Sequence, residues 1–203
     1  MNVAAAAGGA CKRLVLASTS PRRRSILSQL RIPFEVVAPT YEENLIVGAL
    51  PRAAIEEHAL GKAMSIARRH PNRTVLGVDT AVVFGDVLYG KPDGIADARR
   101  ILGELAGHTH HVVSAVCLIS AGTRLLRAAE TAVTFRACTD AEVAAYVDSG
   151  EWEGHAGGYA IQGLGAALVE RIDGDYLNVV GLPGALLLEL LGEVRPDLLI
   201  LCP

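Results

Sequence analysis

Residues 14–17 are all apolar; Ser18-Thr19-Ser20 and Pro21 follow, and apolar positions return at Ile26, Leu27 and Leu30. The first run predicts a short buried strand. Any of the hydroxyl residues can cap a helix, Pro21 suits the first helical position, and the later spacing puts the apolar residues on one helix face. Residues 34–37 predict a second strand, with Glu42 and Glu43 in the loop after it. Pro51 opens a helix that runs to about His70, where Pro71 stops it. Ile55, Ala59 and Ile66 form its apolar stripe, and Lys62 falls in the same stripe. Such a lysine either snorkels to the edge, which spacing alone slightly favours, or points into a cleft.

Residues 75–78 predict a third strand with Asp79 at its tip, a position where ligand crevices form in α/β sheets. The competing reading is that Asp79 caps a turn. Gly85-Asp86 marks a two-residue hairpin between residues 81–84 and 87–89, and Gly90-Lys91-Pro92 ends it. Lys91 reads as a solvated lysine or a phosphate ligand, and spacing does not choose. A helix starts at Asp97 and closes at Gly107. Strands follow at 112–119 and 125–135, then a helix capped by the Thr139–Glu142 box. A glycine-rich stretch, 154–165, surrounds a short strand. Residues 167–172 and 176–180 predict a hairpin, and a last helix starts at Leu182-Pro183 and runs through Leu191. This order predicts a mixed sheet with helices around it.

Composition narrows the class. The 203 residues suffice for one domain with a full core, split at most into two lobes. No apolar run approaches the roughly 18 residues of a membrane helix. A net charge of −3 with three Phe and one Trp argues against a nucleic-acid-binding surface. Cys11, Cys117, Cys138 and Cys202 are scattered, as in a reducing compartment. Residues 1–11 lack a basic start and a long apolar run, so they are read as a disordered extension, with a single domain over 12–203. His108 and His110 form a His-x-His pair that can bind a metal, but no third ligand lies near in sequence.

Arg22, Arg23 and Arg24 break the local rules. They fall in a first helical turn, where cations are disfavoured by roughly 0.3–1 kcal/mol each. A bound anion removes the conflict, because helix N–H groups, Ser18, Ser20 and guanidinium forks can hold it together. The competing reading is a solvated basic turn.

The chain resembles the Maf family, the septum-formation-inhibitor-like nucleoside triphosphate pyrophosphatases, over about residues 14–191. The resemblance rests on Ser18-x-Ser20-Pro21-Arg22-Arg23, on Asp79-Thr80 followed by Gly90-Lys91-Pro92, and on Gly107-x-x-His110. It continues through Ala156-Gly157-x-Tyr159-x-Ile161-Gln162-Gly163 and Val180-Gly181-Leu182-Pro183. It implies a two-lobed α/β fold with a long curved mixed sheet, similar to inosine triphosphatases, with a cleft between the lobes. It also implies hydrolysis of a nucleoside triphosphate to monophosphate and pyrophosphate with a divalent metal, Mg or Mn. The last long motif resembles the branch acting on dTTP and UTP, which serves in cleaning the nucleotide pool. A cytoplasmic homodimer that binds neither nucleic acid nor membrane is the expected form.

On this resemblance Asp79 is the proton acceptor that activates water for attack at the α-phosphorus. Glu43 and Asp79 are the metal ligands, hard oxygens suited to Mg²⁺. Ser18, Ser20, Arg22, Arg23, Lys62 and Lys91 hold phosphate, while Arg22, Thr80 and Gln162 select the base. A Gln amide can pair with the N3–H and a carbonyl of uracil or thymine together. One departure stands out: His155 occupies a position that is usually Lys in the family, so its role is not carried over. The alternative function is a nucleotide-binding regulator of cell division without turnover.

Overall fold

The computed structural model describes residues 13–42 and 50–199. Cys11, Cys202, Glu43 and the expected N-terminal extension therefore lie outside the described residues.

The chain opens with β1 (Leu14–Leu16) and α1 (Pro21–Gln29), and Ser20 caps the helix by accepting from Arg23 N. β2 (Phe34–Val36) runs parallel to β1. Helix α2 (Pro51–Ala67) leads into β3 (Val75–Phe84) and β4 (Val87–Tyr89). Next come α3 (Ile95–Leu105), β5 (Thr109–Ser120), β6 (Thr123–Phe135) and α4 (Asp140–Asp148) with its complete capping box. The chain ends with β7 (Val169–Asp173), α5 (Tyr176–Val180) and α6 (Gly184–Val194). Among the described residues these strands form one sheet ordered β2-β1-β3-β5-β6-β7, with β4 added to β3. Pairing is parallel around β1 and antiparallel elsewhere, so the sheet is mixed as expected.

Alternation along the strands divides the core. Val15, Val75, Ala81, Val113 and Ala115 face α2, while Leu14, Leu16, Leu76, Val78, Val116 and Leu118 pack with the other helices. Helix α2 presses hard on β3 at Gly77. A Cβ there would lie 2.3 Å from Ala59 O and 2.8 Å from Ala63 Cβ, so only glycine permits this approach.

Three expectations are corrected. Asp79 is not a strand tip; β3 continues five residues beyond it, because Lys62 from α2 satisfies its charge inside the sheet. The 154–165 stretch contains no strand and instead forms 3₁₀ turns at Ala156–Gly158 and from Leu164. The arm at 176–180 is a helix, not half of a hairpin, because Asp175 accepts from Leu177 N and caps it. Smaller shifts occur at element ends: α2 stops at Ala67, α3 starts at Ile95, and α6 runs from Gly184 to Val194.

The crevice follows from unequal strand lengths. β1 pairs with β3 only through Leu76, and β4 joins β3 only from Val82. Between these points β3 has β5 alone as a described neighbour, and this open edge carries Asp79 and Thr80.

Candidate active site

At the open edge lies a cavity of about 800 Å³. That volume falls within the range that encloses small ligands. Its lining brings together Ser18, Ser20, Arg22, Arg23, Lys62, Asp79, Thr80 and Lys91, residues up to 73 positions apart in sequence.

The lysine expected to snorkel is buried instead. Lys62 donates from Nζ to Asp79 Oδ1 at 2.6 Å, and both side chains are almost fully enclosed. Because α2 sits so close at Gly77, the aliphatic stem need not reach the surface. Asp79 points to the α2 side of the sheet, and its neighbour Thr80 to the other.

Thr80 belongs to a second cluster centred on Arg23. This guanidinium donates through Nε to Gly181 O at 2.9 Å, through Nη1 to Ser18 Oγ at 3.1 Å and through Nη2 to Thr80 Oγ1 at 3.2 Å. Thr80 Oγ1 also lies 2.8 Å from Ser114 Oγ, on the residue directly opposite in β5. The fork therefore ties the first turn of α1 to β3 and to the turn after α5. Ser18 Oγ additionally accepts from Ser20 N, which holds the turn between β1 and α1.

Arg22 crosses to a different wall. Its Nη1 lies 2.8 Å from His155 Nε2, and Nη2 donates to Gly154 O at 3.0 Å. Burial lowers the Arg22 guanidinium from its ordinary value. Arg24 is exposed, so only two of the three arginines enter the cavity wall. Lys91 is exposed at the rim, where Gly157 N donates to Gly90 O and fixes the hairpin exit against the 156–158 turn.

Gln162 is exposed and stands outside the cavity lining, whereas Tyr159, from the same motif, is buried and lines it. The Tyr159 hydroxyl meets His110 Nε2 at 2.9 Å, with Phe135 packed edge-on against both rings. Burial, and more weakly His111, lowers His110 to about 4, so it sits neutral in the core. His108 is exposed and pairs with Ala106 O, so the two histidines do not act as a metal pair. Among the described residues no three His, Cys, Asp or Glu side chains converge on one point.

The sequence reading missed Ser114 and the Gly181 carbonyl as parts of the site, and left His155 without a role. Ser114 carried a signal, since a lone hydroxyl in the run Val112-Val113-Ser114-Ala115-Val116 needs a partner. A backbone carbonyl carries none.

The family described as Maf-like protein matches residues 13–194. The chain belongs to the Maf family. Among the relatives of this Maf protein, the dTTP/UTP pyrophosphatase of Gloeobacter violaceus is 51% identical over 183 residues, covering 89% of this chain and 95% of the relative. The dTTP/UTP pyrophosphatase of Sphingopyxis alaskensis is 47% identical over 172 residues, covering 84% and 90%. A looser likeness, at a TM-score of 0.45 and 15% identity, runs to the solved structure of the Staphylococcus aureus Ham1 protein, covering 61% of this chain and 72% of that one. Among the described residues of the Maf chain, no helix is long and apolar enough to cross a membrane.

Proposed function

We propose that this Maf protein hydrolyses nucleoside triphosphates, dTTP and UTP among them, to the nucleoside monophosphate and pyrophosphate. The observation that carries the reading is the cavity itself. Two guanidinium groups, two lysines, two serine hydroxyls and the start of α1 meet a buried carboxylate in one space of about 800 Å³. That combination suits a polyphosphate with a reacting centre beside it. The names of the relatives support the same substrates. No observation favours a regulator without turnover.

In this reading Arg23 and the N–H groups of α1 grip one phosphate, while Lys91 closes on the chain from the rim. Lys62 uses Asp79 Oδ1, which leaves Oδ2 to take the proton of the attacking water. Attack at the α-phosphorus releases pyrophosphate, and the cationic groups hold the leaving oxygens. A divalent cation, Mg or Mn, suits this donor set, and Asp79 would hold it, since Mg²⁺ takes few protein carboxylates. Glu43, its other expected ligand, lies outside the described residues. When bound, such an ion draws charge from the phosphates. Arg22 and Thr80 belong to base selection in the same reading. Gln162 enters it only for a base that extends past Tyr159 beyond the cavity lining. A homodimer acting in the cytoplasm, without nucleic acid, completes the proposal.

The test is a nucleotide panel with Mg²⁺ or Mn²⁺, measuring phosphate and pyrophosphate separately. Pyrophosphate from UTP and dTTP is expected, with CTP slower. Asp79→Asn is expected to lower kcat at least about a hundredfold, the usual share of a positioned base, with a small change in KM. Wild-type turnover by Asp79→Asn, or phosphate in place of pyrophosphate, overturns the assignment. Gln162→Glu is expected to narrow the preference for UTP and dTTP over CTP.

A further inference from the structure

The contact between Arg22 and His155 specifies more than proximity. A guanidinium has no acceptor, so Arg22 Nη1 must donate and His155 Nε2 must accept. The other ring nitrogen, Nδ1, lies 2.9 Å from Glu153 O, and a carbonyl cannot donate. Nδ1 therefore carries the hydrogen, and both contacts together require the neutral ring in a single tautomer. Gly154 O takes a second Arg22 donor through Nη2. Two of the five guanidinium donors are then used, and three remain for a ligand. The clamp joins helix α1 to a turn more than 130 residues later in sequence, within the lining of the cavity.

We propose that neutral His155 is a positioning residue for Arg22, holding its guanidinium against the cavity wall so that the remaining donors face the triphosphate. This rests on the pyrophosphatase reading of the same site. Protonation puts a hydrogen on Nε2 directly against the Arg22 N–H and sets two cations at 2.8 Å, so the clamp opens in acid. The charged groups that act on the ring are Arg22 from α1 and Glu151 from its own segment, while Glu153 contributes its backbone carbonyl. Burial first, and Arg22 second, lower the imidazole from its ordinary 6.5, against the weaker opposing pulls of the Glu153 carbonyl and then of Glu151.

The experiment measures KM and kcat for UTP from pH 8.5 down to about one unit below the imidazole midpoint, with the wild-type enzyme and with His155→Gln. The Gln carbonyl accepts from Arg22 but does not titrate. Because the substrate phosphates titrate alike for both proteins, the ratio of the two KM values isolates residue 155. The wild-type KM is expected to rise in acid roughly tenfold more than that of His155→Gln, the worth of one charge-assisted hydrogen bond, with kcat following the same course in both. Parallel KM profiles overturn the proposal. So does a wild-type KM that falls relative to the variant, which would mean that imidazolium grips phosphate itself. Nitrogen-15 spectra of the wild-type imidazole give a second readout, independent of turnover. They are expected to show the Nδ1–H tautomer with a midpoint below 6.5; an Nε2–H tautomer or a higher midpoint refutes the clamp. Absence of pyrophosphate release at pH 8 instead removes the activity reading, and the spectra still decide the clamp.

Discussion

Replacing Lys62 by Met shortens the side chain by one atom and removes its charge, which leaves Asp79 without its ammonium partner in a nearly closed space. The side chains of Lys62 and Asp79 are 8% and 12% exposed, and the pair is 2.6 Å apart. Breaking a buried ion pair from one side costs about 3–5 kcal/mol, because the remaining charge stays desolvated. Asp79 also borders the cavity, where water can approach, so the lower end, about 3 kcal/mol, is expected here. For a chain of this size each kcal/mol moves Tm by about 2–4 °C, giving a fall of about 6–12 °C. Urea unfolding at pH 7 measures the difference directly, with the slope of free energy on urea unchanged. The double variant Lys62→Met with Asp79→Asn is expected to regain at least about 1 kcal/mol, since the charge at position 79 is no longer stranded. If Lys62→Met alone unfolds within about 0.5 kcal/mol of the parent, as an ordinary surface substitution does, the pair is solvated and the reasoning fails.

Gly77→Ala forces a methyl into the backbone of α2 and is expected to destabilise the fold by about 1–3 kcal/mol, read by urea unfolding; a neutral result would show that α2 can step back freely. Arg23→Lys cannot reach Ser18, Thr80 and Gly181 O together, so KM for UTP is expected to rise at least about tenfold and Tm to fall by a few degrees; an unchanged KM counts against Arg23 as a phosphate ligand. His110 supplies a pH signature. It titrates near 6.5 when unfolded but at about 4 when folded, so the unfolded chain binds more protons between those values. The contribution is complete above 6.5 and disappears as pH falls toward 4, amounting to about 3 kcal/mol. His110→Gln is expected to flatten the acid side of the stability profile, and an unaltered profile would show that His110 does not set it.

Local patterns carried much of the fold because their causes are local. A cap needs a hydroxyl and an N–H three residues on, and Ser20 and Thr139 met that need where expected. The hairpin at Gly85-Asp86 needs only one turn, and Gly85 takes a positive φ there. The arginines at the start of α1 drew attention by contradicting the helix dipole, and two of them line a cavity. Where the reading failed, the deciding partner was distant in sequence. Asp79 looked like a strand end because a carboxylate in a run of apolar residues has no local remedy. Its remedy is Lys62, brought over by a helix that packs closely only because residue 77 has no side chain.

Residue types and their spacing thus determined the mixed α/β class and most elements, and the family resemblance supplied the set of phosphate-binding candidates. Tertiary structure alone decided how those candidates divide. Arg23 turns to Thr80 and Gly181, Arg22 to His155, and Lys62 to Asp79, while Gln162 is left outside the lining. Propensity and periodicity act over a few residues, whereas a side chain chooses its partner among whatever the packed sheet and helices bring within about 3 Å.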